Sequence, residues 1–190
     1  MKTHNIIESN SQNASLFIEA LVPTLRKCGV VALQMQGDVS NVGKEVSERQ
    51  SDSERLKRMR EAKTKIDEVI QDLILIEIEE FKVKFSIDAE EVSFLNPKEA
   101  ENILHENILV IDPIDGTLEY LEGKDNYSIC IGWHFHGQMQ AAIVYFPAHD
   151  KVYFCTDTQA YIVTNFLLEG LKNIKILNSF NDTQSQQIYL

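Results

Sequence analysis

The spacing of apolar residues changes once along the chain, at Phe81, and that single change narrows the folds open to it. Up to that point the period is helical. From Ala14 to Met35, Leu16, Phe17, Ala20, Leu21, Leu25, Val30 and Leu33 recur three and four apart, as on one face of an amphipathic helix, with Pro23 expected to disturb it. Residues 1–13 are polar and expected to fray, and the stretch from Gln36 to Glu54 reads as a polar, glycine-containing loop. A second helix follows, charged at first and then apolar at Ile66, Val69, Ile70, Leu73, Ile74 and Ile76.

Beyond Phe81 the runs are short and β-rich. Residues 82–88 alternate as a half-buried strand does, and 108–112 form a brief apolar run. Residues 127–135 and 138–146 are strand-like and separated by His136-Gly137, which suits a hairpin; 151–155 and 160–163 are shorter strands. Two helices followed by a series of strands predict an α+β fold, with the helices packed on a largely antiparallel sheet.

The chain has 190 residues, enough for one domain with a real core, and residues 1–190 are read as a single domain. Its net charge of −11 argues against nucleic acid and against an anionic membrane surface as partners. A phosphorylated substrate stays open, because a bound divalent cation reverses the local sign. The three cysteines, Cys28, Cys130 and Cys155, are too few and too scattered for a disulfide framework or structural zinc. No signal-peptide pattern opens the chain and no apolar run has bilayer length, so a cytoplasmic setting is expected.

The segment with most chemical content is Ile108–Asp125, ILVIDPIDGTLEYLEGKD. It places two carboxylates, Asp112 and Asp115, at the end of an apolar strand, with Pro113 between them to fix the backbone. Gly116 then permits close approach of a ligand, and Thr117 offers a hydroxyl and an N–H at the start of a helical turn. Oxygen donors beside an anion-binding turn suit Mg²⁺ and phosphate. The plainer alternative is that Asp112 opens a turn and Asp115 caps a short helix. Two weaker features lie upstream: the acidic pair Glu90-Glu91 at the end of a strand, and Thr64 and Asp67 three apart near the start of the apolar helix.

Taken in order, TKID at Thr64–Asp67, EE at Glu90–Glu91 and DPIDGT at Asp112–Thr117 resemble the inositol monophosphatase superfamily, Mg²⁺-dependent, lithium-sensitive phosphomonoesterases. The resemblance runs from about Thr64 to Tyr161 and more loosely through the first helix. It implies the N-terminal domain of the sugar-phosphatase fold. It further implies that Glu90, Asp112 and the carbonyl of Ile114 hold one metal, that Asp112 and Asp115 hold a second, and that Asp67 assists a third. Glu91 would support the site and Gly116 and Thr117 would donate to the phosphate, with Thr117 and Asp67 orienting the attacking water. Thr64 carries the motif's threonine, and Lys44 or Lys57 stands for a family lysine in the preceding loop. The implied reaction is in-line attack by water on a small phosphate ester, without a covalent enzyme intermediate.

The resemblance departs in two places. Family members continue into a second α/β half with a Trp-Asp-x-x-Ala-Gly type motif, absent after Tyr161, and the glycines expected near Thr156–Ala160 are replaced by TDTQA. These departures predict a first half-site whose exposed sheet pairs with another chain or with a second copy. A 3′(2′),5′-bisphosphate nucleotidase is the nearest alternative activity, since Gly116-Thr117-Leu118-Glu119-Tyr120 resembles that subgroup's run. Fructose-bisphosphatase and histidinol-phosphatase activities stay open. A non-catalytic relative that binds a metal or a partner is the alternative from another class.

His134 and His136 could ligate a metal on one strand face but read better as the polar face of an edge strand, and Cys130 reads as a small core residue.

Overall fold

A computed structural model describes residues 3–42, 52–81, 83–92, 95, 106–156 and 159–177; within the helices, side chains are described for 13–36 and from 65 onward. The helix α1 spans Thr3–Val42 and α2 spans Asp52–Glu79. Strands follow as β1 (Ser86–Ala89), β2 (Asn107–Asp115), β3 (Ser128–Phe135), β4 (Gln138–Phe146), β5 (Lys151–Thr156), β6 (Ala160–Thr164) and β7 (Ile174–Leu177), with short helices α3 (Thr117–Leu121) and α4 (Phe166–Glu169) between them. The seven strands among the described residues lie in one sheet in chain order. Only β1–β2 is parallel; every later pair is antiparallel. The α+β architecture expected from the period change is the one found.

Period-2 alternation explains which side of the sheet is covered. Leu109 and Ile111 on β2, Ile129, Ile131 and Trp133 on β3, and Ala141, Ile143 and Tyr145 on β4 all point to one face and are buried. The helix α1 lies against β4 and α2 against β2 on that face. Helical spacing supplies the complementary stripe: Phe17, Leu21, Leu25 and Cys28 from α1, Ile66, Ile70 and Ile74 from α2. Trp133 closes one end of the core among Phe17, Phe81 and Phe85, with ring centroids 5.4 to 6.4 Å away. Its indole Nε1–H donates to Asn107 Oδ1 at 2.9 Å, so the buried ring keeps its polar atom satisfied.

Element bounds differ from expectation where burial does not dictate them. α1 extends beyond Ala14–Met35 at both ends and runs through Pro23, whose ring is exposed. Once a helix is nucleated each further residue adds a hydrogen bond, so polar flanks continue it. The loop read at 36–54 is correspondingly shorter, with α2 starting at Asp52. β1 begins at Ser86 instead of residue 82, because Phe85 turns into the aromatic cluster. β7 and α4 escaped the sequence reading; every residue of β7 is exposed, so it carries no alternation. The hairpin at His136-Gly137 is present, with φ of 48° and 75° at its two turn residues, the left-handed pair a tight β-turn demands. No helix among the described residues is long and apolar enough to cross a membrane.

Candidate metal and phosphate site

Parallel pairing puts the C-terminal ends of β1 and β2 at the same edge, where open sheets containing parallel strands bind ligands. Ala89 is in register with Ile111, and the N–H of Glu90 donates to the Ile111 carbonyl at 3.1 Å. Glu90, the first residue past β1, thereby stands beside Asp112. β3 is antiparallel and contributes its N-terminal end, Ser128, at the same place.

Two residues three apart on a regular strand point to opposite faces. Asp112 and Asp115 escape this through a β-bulge. Asp112 pairs with Cys130 and Asp115 with Ser128, so three steps on β2 match two on β3. The extra residue re-phases the strand, and both carboxylates come to the face shared by Ser128 and Cys130. Pro113 lies inside the bulge, where its missing N–H breaks no ladder bond. Ser128 is buried, and its Oγ donates to Asp115 Oδ2 at 3.4 Å. Ser128 and Cys130 are also in contact, Oγ to Sγ, at 3.5 Å.

Strand β2 therefore continues through the whole DPID segment, and the turn comes at Gly116. Gly116, not Asp115, is the residue at the N-terminal boundary of α3, with φ 88° and no side-chain cap. A Cβ there would lie 2.7 Å from the Asn126 carbonyl oxygen and 3.2 Å from Tyr127 Cα, so only glycine fits. The Thr117 hydroxyl donates at 3.5 Å to the carbonyl of Ile114, itself a buried residue.

The electrostatics are those of crowded carboxylates. Asp112 is pushed up to about 7, first by burial, then by the hydrogen bond and charge of Glu90 and the charge of Asp115; the Ile114 N–H offsets part of this. Its Oδ1 is buried with no hydrogen-bond partner. Burial likewise raises the Cys130 thiol, with Asp115 and Asp112 adding to the effect and Ser128 opposing it. An orphaned buried carboxylate oxygen, next to a second carboxylate and a third in the same field, is a donor set of hard oxygens that fits a divalent cation such as Mg²⁺. As they stand, no three His, Cys, Asp or Glu side chains among the described residues are close enough together to hold a metal ion.

Thus Glu90, Asp112, Asp115, Gly116 and Thr117 gather at one end of the sheet. Asp67 lies on α2, on the helix side of the sheet, near Tyr120. It is completely buried, and the Tyr120 hydroxyl on α3 is raised first by burial, then by Tyr127 and by Asp67. The side chains of Thr64 and Lys57 and the whole of Lys44 fall outside what is described. The Glu91 backbone is held to the helices through the Gln71 amide.

Three expectations need correction. β3 is an interior strand, and His136 sits in the hairpin turn, 3.5 Å from Glu106, so His134 and His136 do not share a strand face. Cys130 faces away from the core, because the bulge and the alternation of Ile129 and Ile131 put it on the carboxylate side. Ser128 and Gln71, which had no motif to mark them, both reach the site. The only sequence signal for Gln71 was a polar residue within the apolar stripe of α2, one turn past Asp67.

A sequence model of the inositol monophosphatase family matches residues 18–185. With that match covering most of the chain, and with this strand-end arrangement of acids, the chain belongs to the inositol monophosphatase family. It is similar to the fructose-1,6-bisphosphatase/inositol-1-monophosphatase of Thermotoga maritima, 27% identical over 136 residues that make up 72% of this chain and 46% of that protein. A solved Thermotoga maritima IMPase superposes with a TM-score of 0.52 at 26% identity, covering 74% of this chain and 48% of that one. The Staphylococcus aureus inositol monophosphatase II shares the fold, with a TM-score of 0.56 over 90% of this chain and 52% of its own. The chain spans less than half the length of the curated relatives it matches.

Proposed function

We propose that this chain forms the N-terminal, metal- and phosphate-binding part of a Mg²⁺-dependent phosphomonoesterase acting on a small phosphorylated substrate such as inositol monophosphate. The observation that carries the reading is the buried, partnerless Oδ1 of Asp112, on a carboxylate raised to about 7 by its burial and by Glu90. Such a group is costly in the metal-free chain and is relieved by a cation.

In this reading Glu90, Asp112, Asp115 and the Ile114 carbonyl hold Mg²⁺, with Asp67 assisting from α2. When bound, the metal supplies Lewis-acid activation of water and charge neutralisation at the phosphoryl group. The chain's own contributions are positional. The bulge presents Asp112 and Asp115 together, and the Ser128 hydroxyl fixes the rotamer of Asp115. The Gly116 turn, packed against the Asn126 carbonyl, sets the start of α3, and the Thr117 hydroxyl, which donates to the Ile114 carbonyl in the metal-free chain, would turn to donate to a phosphate oxygen. Substrate choice and full turnover rest on the part of the family fold beyond the matched half. The run Gly116–Tyr120 keeps a bisphosphorylated nucleotide as the second substrate class.

The test is phosphate release from inositol monophosphate and adenosine 3′,5′-bisphosphate, with and without Mg²⁺, for the chain alone and with the C-terminal half of a relative added. Turnover that needs Mg²⁺ and falls by roughly two orders of magnitude or more in Asp115→Asn supports the proposal. Magnesium-independent turnover, or full turnover in that variant, rejects it. Mg²⁺ binding without turnover in either arrangement favours a non-catalytic relative.

A further inference from the structure

Glu90 has to be held where it is by something other than its own strand. β1 is four residues long and, among the described residues, lies at the edge of the sheet, paired with β2 only. Its last contact with β2 is the Glu90 N–H to the Ile111 carbonyl. An edge strand this short leaves the residue at its end free to turn away from Asp112 unless the next residue is fixed as well.

Gln71 supplies that fixation. It is completely buried on α2, four residues beyond Asp67 and so on the same helix face. Its Nε2 donates to the Glu91 carbonyl at 2.7 Å, and its Oε1 accepts from the Glu91 N–H at 3.1 Å. One primary amide thus satisfies both backbone groups of one residue, as a neighbouring strand would. Glu90 is therefore pinned from two directions: its own N–H to β2, and the following residue to α2. An apolar side chain of the same length would fill this space as well. The amide is what the turn after β1 requires, since it pairs both backbone groups of a half-buried residue that no strand pairs.

We infer that Gln71 is a positioning residue, whose amide clamps the Glu91 backbone and so aims the Glu90 carboxylate at Asp112. The inference rests on the reading of these carboxylates as a cation site. It goes beyond that reading by giving a residue outside the cluster control over cation affinity.

The experiment uses the full chain, with Mg²⁺ titrated by calorimetry and amide exchange followed in the metal-free protein. Gln71→Met keeps the length and removes both hydrogen bonds. It is expected to raise the Mg²⁺ dissociation constant about 10-fold or more, the usual consequence of losing a support behind a metal ligand. The Glu91 amide should exchange faster while Ile70 and Ile74 keep their protection. Gln71→Glu retains the acceptor for the Glu91 N–H and loses the donor, so its affinity should fall between the two. A merely structural role would speed exchange or lower the melting temperature and leave Mg²⁺ affinity within about twofold of wild type, and that result overturns the inference. Should Gln71→Met fail to melt cooperatively, Gln71→Glu decides, and wild-type affinity in that variant overturns it equally. Failure of the underlying reading looks different: the unaltered chain itself takes up no Mg²⁺ at millimolar concentration, which removes the site and the clamp's role together.

Discussion

The ends of β1 and β2 lie side by side and deliver carboxylates to the same place, yet they are built in different ways. β2 has nine residues, is flanked by strands on both sides, and carries Asp112 and Asp115 within its own ladder. Its two acids are aimed by covalent geometry: the bulge sets their phase, Pro113 restricts the backbone, and Ser128 holds one of them from the next strand. β1 has four residues at the sheet's edge, and its acid, Glu90, lies just past the strand on an exposed turn. It is aimed indirectly, through β2 on one side and a helix on the other. A rigid carrier and a tethered one therefore share one cation site. Changes on the first should act in all-or-none fashion, and changes on the second by degree.

Asp112→Asn tests the rigid side most severely. At pH 8 it should abolish the Mg²⁺-dependent rise in melting temperature, because the central donor is lost. In metal-free buffer the same variant should melt higher than wild type, because it also removes the charge that burial and Glu90 oppose. Lower metal-free stability in Asp112→Asn would break the account of that carboxylate. Glu90→Gln is the matched change on the tethered side. It should weaken Mg²⁺ about 10-fold without abolishing the rise; an effect as large as that of Asp112→Asn would erase the contrast between the two carriers.

Gly116→Ala probes the turn that follows the rigid strand. With φ at 88° and the Asn126 carbonyl 2.7 Å from the new Cβ, it should cost about 2 kcal/mol or more in denaturant unfolding. An alanine variant as stable as wild type would place the turn elsewhere.

The smallest expected effect is on pH dependence. The Asp112 carboxyl is held above its ordinary 3.8, at about 7. The folded, metal-free chain thus binds this proton more tightly than the unfolded chain. The resulting stabilisation is complete below about pH 4 and is lost as pH rises through about 7. Metal-free melting should decline over that window. The increment added by Mg²⁺ should grow over the same window, since cation and proton compete for one carboxylate. An increment independent of pH between 5.5 and 8 would detach Asp112 from the cation.

Much of this is legible in the sequence. Apolar spacing gives α1, α2 and six of the seven strands, because burial on one face imposes a period that a one-dimensional pattern can carry. β7 was lost because no residue of it is buried. The acids Glu90, Asp112 and Asp115 were legible from the order of their motifs. Their convergence was not, since it depends on three pairings invisible in the linear order: the parallel register of β1 and β2, the bulge opposite β3, and the amide of Gln71.

Taken alone, the order of residues determined the kind of chemistry, because hard oxygen donors and a glycine that nothing else can replace are properties of the side chains themselves. Tertiary structure decided which of those donors meet. A strand of period two sends residues three apart to opposite faces, and only the extra residue forced into β2 by its neighbour turns Asp112 and Asp115 toward the same side.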